Sequence, residues 1–439
     1  MGVQEQYRDY VMTGFVKRVE PVVAERGDGA YLYDADGTEY IDCFAGISVT
    51  NAGHHNEKIL AAAMDQAQKL VHACSYVYHV PSVGALAEKL AEITPGDLQK
   101  SFFGNGGAEA IEGAFRLAKR YSGKREFLAI ESSFHGRSFA TLSVTGNSGR
   151  KKGGGPYMPG VAFTPTPYCY RCFAETTPDK CDMLCARRVA EVARLHTSAD
   201  VCAFIAEPVM GEGGIIVPPD GYFKRVKEIL DEMDILFIAD EVQSGFGRTG
   251  KMFAIDHYGV VPDIMTMAKG LSSGYAPIAA TIVRGEVYDI FKENKEAIMG
   301  HLLTFGGHPA ACAAALKNLE IFEDEGLVKQ GAERGEYLRR RLEDLKSHPT
   351  VGDLRGLGMM YGIDLVKNKE TREAWGKGAQ FTARLGELAL EKGLVTRVWD
   401  VMHFAPPLVI EKDEIDRMVE IADESLTIAE REFAAEIAN

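Results

Sequence analysis

Apolar positions in the middle of the chain form short β-branched runs that alternate with stretches of helical period. Ala199–Val209 (ADVCAFIAEPV), Leu236–Val242 (LFIADEV) and Asp263–Gly270 (DIMTMAKG) each read as a buried strand, the first ended by Pro208. Between the first two, GYFKRVKEILDEM places Phe223, Val226, Ile229 and Leu230 on one helical face. This βαβαβ grammar predicts a parallel sheet with crossover helices. Gly107–Tyr121 predicts a further helix with Ile111, Ala114, Phe115 and Ala118 on one side, and alanine-rich Pro309–Phe322 another. From about Ala332 the pattern changes to long amphipathic helices mixed with short strands, which predicts a separate α+β domain. Gly146–Gly160 (GNSGRKKGGGPYMPG) reads as an exposed loop.

Length and composition narrow the classes. At 439 residues, the chain is long enough for a large domain with a smaller companion. A hydrophobic share of 46% and a charged share of 26% exclude disorder as the dominant state. The net charge of −14 argues against a role dominated by nucleic acid or an anionic membrane, while a few buried arginines can still bind a small anion. The N-terminal segment lacks an apolar signal core, and no run reaches the length of a membrane helix. The expectation is a soluble, cytoplasmic protein. Eight cysteines are too few for a disulfide framework, although Cys169, Cys172, Cys181 and Cys185 cluster as C-x₂-C…C-x₃-C. That spacing fits a zinc site, two disulfides or free loop thiols.

Three local features carry chemistry. Asn105-Gly106-Gly107-Ala108 joins a strand-like FF to a helix, and backbone N–H groups at a helix N-terminus suit a phosphate. Asp240 ends a buried strand, where a carboxylate needs a cation or donor. Lys269 ends the next strand, and a lysine in a dry pocket is a Schiff-base nucleophile. Gly245–Met252 (GFGRTGKM) imitates a nucleotide loop, but Met252 cannot reach Mg²⁺ and no helix follows, so a tight glycine turn is expected. A phosphate cradle, a strand-end Asp and a strand-end Lys are together what pyridoxal 5′-phosphate requires.

From about Gly29 to Leu426 the chain resembles a class III (ω-type) aminotransferase of PLP fold type I, closest in its motifs to the 4-aminobutyrate branch. The likeness rests on GAYLYDADGTEYIDCFAGI, GGAEA, FHGR, EP followed by GEGG, DEVQSGFGRTG, PDIMTMAKG, TFGGHP, RGLGMMYGIDL and a late APPL. It implies an aspartate-aminotransferase-like α/β fold, with a large, mostly parallel sheet domain (56–325), a small α+β domain (326–439) and an N-terminal segment (1–55) joining the small domain. The resemblance makes Lys269 the Schiff-base lysine and Asp240 the partner of the pyridinium. Gly107 and Ala108 offer N–H groups to the phosphate, Phe134 and Val242 cover the ring faces, and Gln243 bonds the 3-oxygen. His135 and Glu207 belong to the same cofactor site. Thr304 reaches the phosphate of a neighbouring subunit, which implies a homodimer or a dimer of dimers. Two positions depart from the family: Gly106 stands where a serine is usual, and GHHNE (Gly53–Glu57) replaces GHxHP.

For substrates, the resemblance assigns Arg137 to a distal carboxylate, Arg397 to the α-carboxylate of 2-oxoglutarate, and Glu212 to a gate over Arg397. Ile47 stands where ornithine enzymes carry a tyrosine. The implied reaction is ping-pong transfer of an amino group from an ω-amino acid such as 4-aminobutyrate, or from an amine, to 2-oxoglutarate. A pyruvate-accepting transaminase, an amino-acid racemase and a dialkylglycine-type decarboxylase are the alternatives on the same fold. A non-catalytic binding protein is disfavoured by the intact Lys269–Asp240 pair.

Overall fold

The computed structural model describes residues 2–14, 16, 19–293, 299–376 and 378–437. Near the N-terminus, β1 (Ala24–Asp28), β2 (Tyr31–Asp34) and β3 (Glu39–Asp42) form an antiparallel meander. The central sheet contains β4 (Leu98–Gly104), β5 (Glu126–Ile130), β6 (Val161–Thr164), β7 (Val201–Ala206), β8 (Leu236–Asp240), β9 (Ile264–Met267) and β10 (Ala279–Arg284). Its seven strands lie in the order β4-β10-β9-β8-β7-β5-β6, and only β10 runs against the others. β7 and β8 are buried along their whole length, as the continuous apolar runs require of strands covered on both faces. The C-terminal part contributes β11 (Val351–Leu357), β12 (Met360–Asn368), β13 (Glu373–Ala374), β14 (Leu394–Val395) and β15 (Val401–Phe404). β12 pairs with β11, β13 and β15, whereas β14 leaves that sheet and pairs in parallel with β3. The two ends of the chain therefore share a sheet.

The expected strands are present but shorter than their apolar runs, because each stops where polar, site-forming residues begin. The expected helices form at Gly107–Ser122, Tyr222–Glu232 and Pro309–Asp324. The βαβαβ pattern holds only for its first crossover. Between β8 and β9 the chain turns through Gly247 (φ 80°) and Gly250 (φ 85°) and makes only a short 3₁₀ turn at Ala254–His257. The glycine-turn reading of Gly245–Met252 is thus the one the backbone adopts.

The reading of Gly146–Gly160 as a plain exposed loop needs correction. Asn147 is buried, its side chain caps a short helical turn at Ser148–Lys151 by accepting from Gly149 N, and Arg150 turns inward. At GHHNE, His54 Nε2 lies 2.9 Å from Asp42 Oδ2, and Asn56 Oδ1 caps the helix Glu57–Lys69. The departure from the family pattern is accommodated as a helix cap. Among the described residues, no helix is long and apolar enough to cross a membrane.

Candidate active site

The sequence-predicted residues gather beyond the carboxyl ends of the parallel strands, where open α/β sheets place ligands. Gly107 and Ala108 follow β4; Phe134, His135 and Arg137 follow β5; Glu207 and Glu212 follow β7. Asp240 ends β8, and Lys269 follows β9.

Asp240 is buried and fixed through both oxygens. Oδ2 lies 2.7 Å from His135 Nδ1, while Oδ1 accepts from Val242 N at 3.1 Å and from Thr266 Oγ1 at 3.3 Å. Thr266 is the residue paired with Asp240 across β8 and β9, so sheet register supplies this contact. His135 Nε2 is buried and, among the described residues, has no hydrogen-bond partner.

Lys269 has φ 48°, a left-handed conformation unfavourable for a side-chain-bearing residue, and is characteristic of strain held at a functional site. Burial lowers its ammonium to about 8; Asp240, Glu207 and Glu212 oppose that shift, in decreasing order. At that value roughly a tenth of Lys269 is free amine at pH 7, far more than an ordinary lysine offers.

The helix Gly107–Ser122 begins without a side-chain cap, and its first backbone acceptor, Gly106 O, is taken by Glu109 N at 3.0 Å. The N–H groups of Gly107 and Ala108 precede that bond and point out of the helix N-terminus. A Cβ on Gly107 would meet Val242 Cγ1 at 2.8 Å, so glycine is what lets this amide approach the wall that Val242 forms. Gly106 has open space at its Cβ position, so the serine usual there would fit without displacing anything.

Glu207 is buried and clamps two segments: Oε1 accepts from Phe134 N at 2.9 Å and Oε2 from Gly211 N at 3.0 Å. Burial raises its carboxyl to about 7, opposed first by His135. Its contacts are to backbone, which places it behind Phe134. Gln243 donates to Ser48 Oγ at 3.3 Å, and its amide occupies the space a side chain at Gly211 would need. Ile47 is exposed with φ 75°. Arg137 is exposed, its guanidinium 5.8 Å from the Phe134 ring centre, and among the described residues it has no carboxylate partner. Thr304 is exposed between Leu302 and Phe305, themselves 58% and 59% exposed.

Arg397 and Glu212 form a nearly buried ion pair between Nη1 and Oε2. Burial holds the guanidinium below its ordinary range, and Glu212 partly restores it. Two further residues of this region were not legible in sequence. Arg150 bonds the other oxygen of Glu212, and Trp399 stacks on Arg397 with its ring centre 3.4 Å from Cζ. Arg248, fully buried within the glycine-rich decoy, donates to the carbonyls of Met359 and Pro406 and to Asn51 Oδ1. A charged residue inside GFGRTG offered a signal, but its partners lie far along the chain. The four clustered cysteines line a cavity of about 320 Å³ beside Tyr168 and Phe173. All four are free thiols, and no group of three or more His, Cys, Asp or Glu among the described residues is arranged to hold a metal ion.

A buried carboxylate, a lysine with a lowered pKa and an uncapped helix N-terminus define a site for an anionic, nitrogen-containing cofactor that bonds to lysine. Residues 15–426 match the class-III aminotransferase family, and the chain belongs to it. The enzymes of this family depend on pyridoxal 5′-phosphate, and this chain is a pyridoxal-phosphate-dependent aminotransferase. It is 39% identical to a leucine/methionine racemase of Thermococcus litoralis, over 90% of this chain and 88% of that one. It is 36% identical to a putrescine–pyruvate aminotransferase of Pseudomonas aeruginosa, over 92% and 90%. The ω-transaminase of Pseudomonas jessenii in complex with PMP superposes with a TM-score of 0.92 at 33% identity, covering 99% of each chain.

Proposed function

We propose that this enzyme transfers the amino group of an ω-amino acid such as 4-aminobutyrate, or of an amine, to 2-oxoglutarate in two half-reactions. The observation that carries the reading is the Glu212–Arg397 pair. An arginine that reads the α-carboxylate of one substrate becomes a buried unpaired cation when the other substrate lacks that group, and Glu212 is placed to neutralise it. Arg137, exposed and without a carboxylate partner among the described residues, takes the distal carboxylate, and Ile47 leaves no tyrosine hydroxyl for a donor's own α-carboxylate.

Bound pyridoxal phosphate supplies an electron sink for the substrate carbon. Lys269 would be its covalent attachment point, and the Lys269 Nζ would carry the proton moved at the substrate carbon. Asp240 keeps the ring nitrogen protonated, with His135 and Thr266 fixing its oxygens. Phe134 and Val242 would cover the ring faces, Gln243 would bond the 3-oxygen, and Gly107 and Ala108 would hold the phosphate. Glu207 fixes the turn that carries Phe134. Exposed Thr304, with Leu302 and Phe305 beside it, supports a homodimer in which Thr304 contacts the cofactor phosphate of the neighbouring subunit. The division into 1–55, 56–325 and 326–439 accompanies this reading, supported by the β3–β14 pairing of the chain's ends.

A second reading, amino-acid racemisation, is favoured by the 39% identity to the leucine/methionine racemase. Pyruvate as acceptor is favoured by the putrescine–pyruvate relative. One experiment separates the three. Single-enantiomer amino acids, 4-aminobutyrate and putrescine are supplied with 2-oxoglutarate, with pyruvate or with neither, and products are followed by chiral chromatography. Racemisation without any keto acid, together with no transfer from 4-aminobutyrate, overturns the proposed reaction.

A further inference from the structure

We infer that Arg150 is a specificity-determining positioning residue, a standing partner that holds Glu212 when a substrate α-carboxylate takes Arg397; this rests on the gate reading above. Glu212 is shared between two cations without overlap. Its Oε2 faces Arg397 Nη1, while its Oε1 accepts from Arg150 Nε at 2.5 Å and also from Arg150 Nη2. Side-chain exposure is 9% for Glu212, 10% for Arg397 and 23% for Arg150, so the carboxylate is poorly served by water. Both guanidiniums also flank Trp399, at 3.4 Å for Arg397 and 4.7 Å for Arg150.

The two cations are carried differently. Arg397 comes from the C-terminal part, between β14 and β15. Arg150 stands on the capped turn at Ser148–Lys151, which is fastened to the segment after β5. Asn147 N donates to Ser133 O at 3.1 Å, Gly146 N donates to Ser133 Oγ at 3.2 Å, and a Cβ on Gly146 would meet Ile130 O at 2.3 Å. Arg150 is thus tied to the turn that carries Phe134 and His135, and it keeps its place whichever group Arg397 binds.

Charge counting gives the consequence. Two guanidiniums and one carboxylate leave one net positive charge, which a substrate α-carboxylate completes to two separate ion pairs. Without Arg150, Glu212 would be displaced from Arg397 into a poorly hydrated position beside a second carboxylate, a costly arrangement. With it, Glu212 leaves Arg397 without losing a cation.

The test measures single-turnover half-reactions of the holoenzyme with glutamate, whose α-carboxylate takes Arg397, and with 4-aminobutyrate, which lacks one. Arg150→Met and Arg150→Gln should lower the glutamate to 4-aminobutyrate ratio of kcat/KM by roughly tenfold, mainly through KM for glutamate. Arg150→Lys should recover part of the ratio because it restores the charge. In a Glu212→Gln background, Arg150→Met should change the ratio by less than about twofold, since no carboxylate remains to hold. Equal losses for both substrates in the Arg150 variants, or an undiminished effect in the Glu212→Gln background, overturn the role of Arg150 and leave the gate standing. If Glu212→Gln alone leaves the ratio unchanged, the gate reading itself falls.

Discussion

Asp240 and His135 form a buried contact, 2.7 Å between Oδ2 and Nδ1, at the end of β8. The carboxylate also takes Val242 N and Thr266 Oγ1 on its other oxygen, so its orientation is set by backbone, sheet neighbour and histidine together. Asp240→Asn preserves the shape but removes the negative charge beside the cofactor's ring nitrogen. Turnover should fall by about a hundredfold or more while the lysine-bound cofactor absorbance persists. A rate near wild type would show that Asp240 only holds His135.

Lys269→Ala should abolish the visible absorbance of the lysine-bound cofactor and lower turnover by orders of magnitude. The lowered ammonium gives a second check on the wild-type protein. With Lys269 at about 8, capture of added pyridoxal phosphate by cofactor-stripped enzyme should accelerate as pH rises through 8 and then level off. An ordinary lysine, near 10.4, would still be gaining free amine well above pH 9.5. A continued rise beyond that pH, in stopped-flow absorbance, contradicts the lowered value.

Glu207→Gln should weaken cofactor binding. The carboxylate accepts two backbone N–H groups on separate oxygens, and an amide can accept only one while turning its NH₂ toward the other donor. One unsatisfied buried N–H, at about 1–3 kcal/mol, predicts a roughly tenfold or larger rise in the dissociation constant. Fluorescence titration with pyridoxal phosphate measures the change. A constant within twofold of wild type excludes the clamp.

Arg248→Met should destabilise the fold rather than alter substrate preference. Its guanidinium is fully buried, burial lowers it to about 9, and it bonds the carbonyls of Met359 and Pro406 and the Asn51 side chain. Stranding these acceptors predicts a loss of about 3 kcal/mol or more, visible as a lower Tm and urea midpoint. Arg248→Lys should rescue little, because an ammonium lacks the planar fork that spans three acceptors. Unchanged melting of Arg248→Met would refute this account.

The amino-acid sequence alone determined the features whose physics is local. Continuous apolar runs made β7, β8 and β9; helical spacing of Ile111, Ala114, Phe115 and Ala118 made the helix behind the cradle; and the ends of those runs placed Asp240 and Lys269 together. Tertiary structure decided what is set by chain segments meeting. The first βαβ crossover was legible, but the irregular passage between β8 and β9 was not, since glycine turns and a buried arginine carry no period. Gly146–Gly160 has the composition of an exposed loop, yet a cap at Asn147 and close packing of Gly146 against Ile130 turn Arg150 toward Glu212, 62 residues away. Arg397 reaches the same carboxylate across 185 residues. Each of these ion pairs depends on the course of the chain around the whole central sheet. Composition and spacing report a residue's own surroundings in the chain, whereas a shared carboxylate is fixed only when three distant backbones are in place.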